Sequence, residues 1–278
     1  MHFPPGLLAH IIRLAADSSS SGRRRKDFLL HLELVSRLFR TLAEHELLRR
    51  AYVDATATLD WLDNSVEEGG ADLVEEIEVV FHAGERMLDR ARVLHLLARL
   101  KELKRLEMRY KPTSEQVLTS TLGLAALTHL TVSNISLDFP LPSAFPVFSS
   151  LLSLTLTDAR LTLPPPSPAG AVLPPASFPK LKTLALLDAP GIDARSLPYS
   201  RAPVYSERHV LPFLDEKNEG AGQGLEELTL DPLLVKRMAR RDVPVLLERA
   251  KASGVRVRWD SSATRVVAGE GKGDDEEE

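Results

Sequence analysis

The sequence predicts an α/β protein, in which a small N-terminal helical bundle is followed by an irregular solenoid of short parallel strands alternating with helices. Apolar residues at positions 35, 38, 39 and 42 recur at i, i+3, i+4 and i+7, which is the spacing of one face of a helix. Farther along, one apolar template of the form L-x-x-L-x-L recurs, and repetition on this scale is typical of solenoids. With 278 residues, 44% of them hydrophobic, the chain has room for one large and one small domain.

Charge and composition narrow the classes of function. The net charge is -4, but positions 269–278 alone carry -5, which leaves the remainder at +1 and gives no field that would attract nucleic acid. The absence of cysteine excludes disulfides and thiolate metal sites. No N-terminal signal peptide and no run of about 20 apolar residues is present, so we expect a cytoplasmic or nuclear protein without a membrane segment.

The first 50 residues predict the helical bundle. Prolines 4 and 5 suit the start of a helix over residues 3–16, and the polar stretch 17–26 predicts a mobile loop. Asp27 is then expected to cap a second helix, and a bend near Ser36 to separate it from a third, which closes near Arg50. The basic cluster Arg23–Lys26 could be a nuclear import signal or contact an acidic partner, or it could simply be part of a soluble loop.

Two separated motifs lie in this region. The first is Phe3-Pro4-Pro5-Gly6-Leu7-Leu8-x-x-Ile11, and the second is Leu34-Val35-Ser36-Arg37-x-Phe39-Arg40-x-Leu42. Together they resemble the F-box, in the form found in F-box-like proteins of fungi. The resemblance implies docking to the Skp-type linker of a cullin-based ubiquitin ligase. It places that contact on Pro4, Leu7, Leu8, Ile11, Val35, Leu38 and Phe39. The alternative is that these helices pack on the repeats as a solenoid cap.

The repeat template predicts a strand in each unit, with its fourth and sixth residues pointing inward and its fifth toward an exposed concave face. The starts at 103, 127 and 151 are 24 residues apart, and the region resembles an irregular leucine-rich-repeat domain. The six copies begin at Val74, Leu103, Leu127, Leu151, Leu181 and Leu225. We expect the fifth residues and one exposed histidine to form the target-binding surface: Glu78, Glu107, His129, Thr131, Thr155 and Thr229, together with Ala185.

These patterns predict three regions: a helical module over 1–50, a repeat domain over 51–262 and a disordered acidic tail over 263–278. Long loops are expected near 163–179 and 188–224, where proline and long connections disfavour regular structure. The remaining expected elements are a strand over 51–55, helices over 58–66, 85–100, 114–124 and 231–252, and a last strand over 254–259.

The search for catalytic motifs is negative, so we expect no catalytic residue, cofactor or metal. The eight histidines make no ligand spacing, and the segment Gly220–Gly224 precedes a strand, where a phosphate-binding loop would follow one. Asp60 and Asp63 share a helix face, which is better explained by solvation than by acid catalysis. The interpretation is a ligase adaptor that presents an unknown protein target. The alternatives are a repeat scaffold outside the ubiquitin pathway and an enzyme with an unrecognised site.

Overall fold

The computed structural model describes residues 4–18, 21–81, 88–109, 124–133, 136–138, 147–157, 160–162, 177–187, 213–214, 224–230 and 242–259. The chain divides into two compact units, residues 1–109 and 110–278. The predicted α/β class with parallel strands is confirmed. Most of the predicted helix over 114–124, most of both predicted long loops and the acidic tail lie outside the described residues.

Three helices open the first unit: α1 (Pro5–Asp17), α2 (Gly22–Glu33) and α3 (Arg37–Arg49). Pro5 occupies the first turn of α1, where its missing N–H costs no helical hydrogen bond. Ser36 caps α3, since its side chain accepts a hydrogen bond from the backbone N–H of Phe39, so the predicted bend lies at this residue.

The predicted loop over 17–26 is wrong in its second half. The helix α2 begins at Gly22, because the Ser21 side chain accepts a hydrogen bond from the backbone N–H of Arg24. Asp27 therefore lies within α2 and does not cap it. A cluster of cations in the first turn opposes the helix dipole, so tertiary contacts must compensate for it.

The rest of the first unit forms a three-stranded parallel ladder with helices between its strands. Its elements are β1 (Arg50–Val53), α4 (Thr56–Glu67), a 3-10 helix (Gly70–Leu73), β2 (Glu76–Val80), α5 (Arg90–Arg99) and β3 (Arg105–Arg109). Strand β2 lies between the other two, with Glu76 opposite both Arg50 and Arg105. The helix α3 passes directly into β1, so the predicted boundary after residue 50 lies at a continuous junction.

The second unit contains a five-stranded parallel ladder and a separate parallel pair. The described elements are β4 (His129–Ser133), β5 (Ser136–Asp138), β6 (Ser153–Thr157), β7 (Arg160–Thr162), β8 (Thr183–Leu187), β9 (Glu227–Leu230), α6 (Asp242–Ala252) and β10 (Arg256–Trp259). The ladder runs β4-β6-β8-β9-β10, and β5 pairs with β7.

The repeat template describes the buried side of these strands correctly. In all six copies the first, fourth and sixth residues are at most 7% exposed. The fourth and sixth residues of adjacent strands also lie in register, as Leu154 and Leu184 do between β6 and β8. Because side chains alternate between the two faces of a strand, each copy contributes two residues to the apolar layer of its own ladder.

The substitution Leu156→Ala tests this layer. Leu156 is fully buried, so its truncation removes apolar contacts and leaves a cavity, and we expect the free energy of unfolding to fall by about 3 kcal/mol. The control is Thr155→Ala on the opposite face of the same strand, for which we expect a loss below about 1 kcal/mol. Urea unfolding followed by circular dichroism measures both, and equal losses would contradict the assigned faces.

Candidate docking surface on the N-terminal helices

The three N-terminal helices share one small apolar core. Its buried members come from all three helices: Ile12, Ala16, Leu29, Ala43 and Leu47. Five partly buried side chains pack around them: Leu8, Phe28, Leu32, Phe39 and Leu42. A core of this size covers only one side of each helix, so apolar residues on the other sides remain in contact with solvent.

Five of the seven residues predicted to bind a partner are exposed. Leu7, Ile11 and Leu38 are each 46% exposed, Val35 is 64% exposed, and Pro4 is exposed. The other two, Leu8 and Phe39, are half-buried and pack against the helical core. The structure thus places the seven predicted residues on α1, on α3 and at the turn before α3, around one core.

Three further exposed residues on these helices were absent from the predicted set. Leu14 is 57% exposed and follows Ile11 by three positions, which extends the stripe along α1. Leu30 on α2 is 43% exposed, and Leu34 in the turn after α2 is 80% exposed. The spacing of Leu7, Ile11 and Leu14 was a sufficient signal for Leu14, whereas Leu30 and Leu34 needed the orientation of α2.

Exposed large apolar side chains concentrate in this region. Seven of the thirteen such residues in the described part of the chain lie between positions 7 and 38. Scattered exposed apolar residues are ordinary, but a concentration of them on one small module is typical of a protein-binding surface. We call this set the helical docking surface: Leu7, Ile11, Leu14, Leu30, Leu34, Val35 and Leu38.

A buried carboxylate links the helices that carry this surface. Glu46 on α3 is 5% exposed, and its Oε1 accepts a hydrogen bond from Arg13 Nε of α1 at 3.1 Å. Its Oε2 accepts from Arg49 Nε and Nη2 at 2.9 and 2.8 Å. Arg49 Nη1 is also 3.5 Å from Glu75 Oε2, just before β2. One chain of charges therefore connects α1, α3 and the strand ladder.

The charge of Glu46 follows from these contacts. Burial by itself would raise the pKa of Glu46, but the hydrogen bonds from Arg49 and Arg13 outweigh burial and lower the pKa below its ordinary value. A carboxylate with a lowered pKa stabilises the fold above the unfolded-state pKa, and this stabilisation is lost as the pH falls through the folded-state value. Glu46 is therefore a charged structural group at neutral pH.

Polar contacts also attach α2 to β1. Arg25 Nη2 donates a hydrogen bond to the carbonyl oxygen of Arg50, and burial together with the charge of Arg50 lowers the pKa of Arg25 to about 10. Lys26 Nζ is 3.0 Å from Asp54 Oδ1 and 5.1 Å from the centre of the Tyr52 ring. Two of the four cations in Arg23–Lys26 are thus engaged in the fold, whereas Arg23 and Arg24 remain exposed.

The predicted exposure of the target-binding residue Glu78 is wrong. Its side chain is only 16% exposed, because the first turn of α2 lies over it so closely that a Cβ on Gly22 would collide with Glu78 Oε2. Burial raises the pKa of Glu78. The neighbouring Glu107 is half-buried, and Arg109 lies 3.3 Å from Glu78 Oε1 and 2.7 Å from Glu107 Oε1. These two carboxylates are therefore parts of the fold's charge pairing.

The remaining predicted target-binding residues lie on the second unit. His129 is exposed, and its Nδ1 is 2.9 Å from Thr128 Oγ1. Thr131, Thr155 and Thr229 are half-buried and lie in one row across the ladder, with Ala185 between the last two. Ala185 is 8% exposed, so its predicted exposure is wrong. Their binding of a target stays a prediction.

The described residues contain no group of three or more histidine, aspartate or glutamate side chains arranged to hold a metal ion. Asp60 and Asp63, considered as an acid pair, lie 2.8 and 3.5 Å from Arg92 Nη2 and are explained by ion pairing between α4 and α5. Most of the glycine-rich segment Gly220–Gly224 lies outside the described residues. Within the described part of the chain, no helix combines the length and apolar character needed to cross a bilayer.

Comparison with known proteins gives no match. No protein-family model matches the chain, and neither a curated protein nor a solved structure does so.

The substitution Glu46→Gln tests the buried charge. It leaves the half-buried Arg49 without its closest carboxylate, and we expect the free energy of unfolding at pH 7 to fall by about 3 kcal/mol. The control is Glu44→Gln, an exposed position on the same helix, for which we expect a change within about 0.5 kcal/mol.

Comparison of the wild type with Glu46→Gln at different pH values tests the sign of the pKa shift of Glu46. The carboxylate of the unfolded chain becomes protonated near the ordinary glutamate pKa of 4.5, and that of the folded wild type only at lower pH. The stability difference between wild type and Glu46→Gln should therefore shrink as the pH falls below about 4.5. Urea unfolding between pH 7 and pH 3 measures this difference. A difference that stays constant or grows toward acid would contradict the assignment.

Proposed function

We propose that this protein is a non-enzymatic adaptor of a cullin-based ubiquitin ligase. Its N-terminal helices act as an F-box-like module that docks the Skp-type linker, and its repeat strands present a protein target. The adaptor would work in the cytoplasm or nucleus, where this ligase machinery acts.

The exposure of Leu7, Ile11, Val35 and Leu38 is the observation that supports this proposal most. The two F-box-like motifs contain Leu7, Ile11 and Val35, and the resemblance places a contact on Leu38 between motif positions. These four positions carry apolar side chains that are 46–64% exposed. Burying such side chains against a partner contributes about 25 cal/mol per Å² of apolar area, before the cost of association is subtracted. Coincidence of the motif and the exposed face supports docking more than either alone.

The mechanism of such an adaptor is proximity. A target held by the repeats experiences a raised effective concentration of the conjugating enzyme that the ligase core carries. No bond is made or broken by side chains of this chain in that scheme. The chain has only to hold its two binding surfaces on one polypeptide.

A second candidate function is a repeat-type interaction scaffold in which the helices only cap the array. The contacts of α2 with β1 favour it, because Arg25 and Lys26 attach the bundle to the first strand as a cap would. In this arrangement, however, the helical docking surface has no assigned partner. We therefore prefer the adaptor. The attachment of α2 to β1 uses Arg25 and Lys26, whereas docking would use the exposed residues of the helical docking surface, so the two are compatible.

Binding to a purified Skp-type linker decides between the two functions. We expect the full chain to bind. We expect Val35→Asp combined with Leu38→Asp to raise the dissociation constant at least about 30-fold, because two apolar residues that the linker would bury become unpaired charges in the complex. Isothermal titration calorimetry measures the affinity.

The matched control is Leu73→Asp, which changes a leucine 41% exposed on the 3-10 helix of the same unit. It introduces one negative charge outside the docking surface, where the double variant introduces two within it, and it should leave the affinity unchanged. If the wild-type chain does not bind the linker, or if both variants lose binding equally, the adaptor proposal fails and the scaffold remains.

A further inference from the structure

The strand β10 is the last strand of the ladder in the second unit. Among the described residues it pairs only with β9, so one of its edges has no strand beside it. The N–H of Arg256 donates to the carbonyl of Glu226 at 2.9 Å, which shows that the backbone groups of Arg256 point toward β9. Because these groups alternate along a strand, those of Val257 and Trp259 point toward the open edge.

Opposite charges join several neighbouring strands of the described ladders. Arg50 of β1 lies 3.3 Å from Glu76 of β2, and Arg109 of β3 lies 3.3 Å from Glu78 of β2. Just before the strands, Lys182 pairs with Glu226 at 2.7 Å. Adjacent strands bring such side chains within about 5 Å, so complementary charges at register positions stabilise a strand pair.

The outward face of β10 carries more positive charge than β9 balances. Arg256 and Arg258 are 72% and 61% exposed in their side chains, and both pair with the single carboxylate of Glu227 at 3.5 and 3.2 Å. Glu227 lies opposite Arg256 in the register, on the β9 side. A strand on the other side of β10 would meet both guanidinium groups at the same spacing.

We propose that the open edge of β10 binds an extended acidic peptide segment of a partner protein as an added strand. Backbone hydrogen bonds form with Val257 and Trp259, and carboxylates at alternate positions of the peptide pair with Arg256 and Arg258, as Glu227 does from β9. Trp259, which is 47% exposed, supplies an apolar contact at the end of the strand. Strand addition of this kind takes its affinity from the main chain and its selectivity from alternate side chains.

Arginines on an edge strand also have a protective role, since they discourage pairing with another neutral or basic edge. An acidic strand is the one neighbour that these arginines do not discourage, so binding of an acidic strand separates a binding edge from an edge that accepts no added strand. Peptide binding at the β10 edge is separate from ligase docking, because β10 is a strand of the second unit and the binding needs no linker subunit.

The test uses the full chain and a labelled peptide of about 12 residues that alternates glutamate and valine, which favours an extended strand with all carboxylates on one face. Fluorescence anisotropy measures binding at low salt, about 50 mM. We expect Arg256→Glu combined with Arg258→Glu to weaken binding at least tenfold and to bind the matching lysine–valine peptide instead. Binding of the reversed peptide by the variant also shows that the variant is folded.

Two controls separate strand addition from simple charge attraction. The first is a glutamate–valine peptide with N-methyl groups at alternate residues, which keeps its charge but cannot complete the backbone ladder, and it should not bind. The second is Arg23→Glu combined with Arg24→Glu, which reverses two exposed arginines of α2 and should leave binding unchanged. No binding by the wild-type chain, equal binding of the N-methylated peptide, or equal loss in both variants would overturn the proposal.

Discussion

The Glu46 carboxylate lies between Arg13 and Arg49, and the arrangement of the first unit depends on this contact. Arg13 fixes α1 on α3, and Arg49 connects α3 to Glu75 at the start of β2. A buried ion group contributes less to net stability than its Coulomb attraction suggests, because burial removes water from the charges of Glu46 and Arg49. Its effect is to specify one orientation of the helices, since any other would leave a buried carboxylate unpaired.

That specificity explains how a small bundle keeps an apolar surface in water. Charges and hydrogen bonds help to attach the helices to the strands, as Arg25 and Lys26 do at β1. The apolar side chains of Leu7, Ile11 and Leu38 are therefore not needed to hold the bundle in place and stay exposed. A chain that used them for internal packing would gain stability and lose the docking surface.

Sequence patterns predicted the parts of the structure that local periodicity determines. The buried residues of the six template copies, from Val74 to Leu230, followed from the sequence pattern. Side chains alternate along a strand, so once one residue of a copy points inward, the choice of its other inward residues is fixed. The covering of Glu78 by Gly22 could not be predicted, since it depends on a contact between residues far apart in sequence. The start of α2 had a local signal that was missed, because Ser21 caps the helix through Arg24. Glu46 looked like an ordinary member of an i,i+3 pair with Arg49, because Arg13, which completes its hydrogen bonding, lies 33 positions away.

Amide hydrogen exchange of the full chain, with and without a purified Skp-type linker, tests the central claim that the exposed apolar face of α1–α3 is a docking surface. We expect slower exchange on binding in α1 and in the segment from Leu30 to Leu42, because a partner there excludes water and stabilises these helices. Exchange in β2 and β3 should stay unchanged. Unchanged exchange in α1 and residues 30–42, or protection confined to the strands, would contradict docking on these helices.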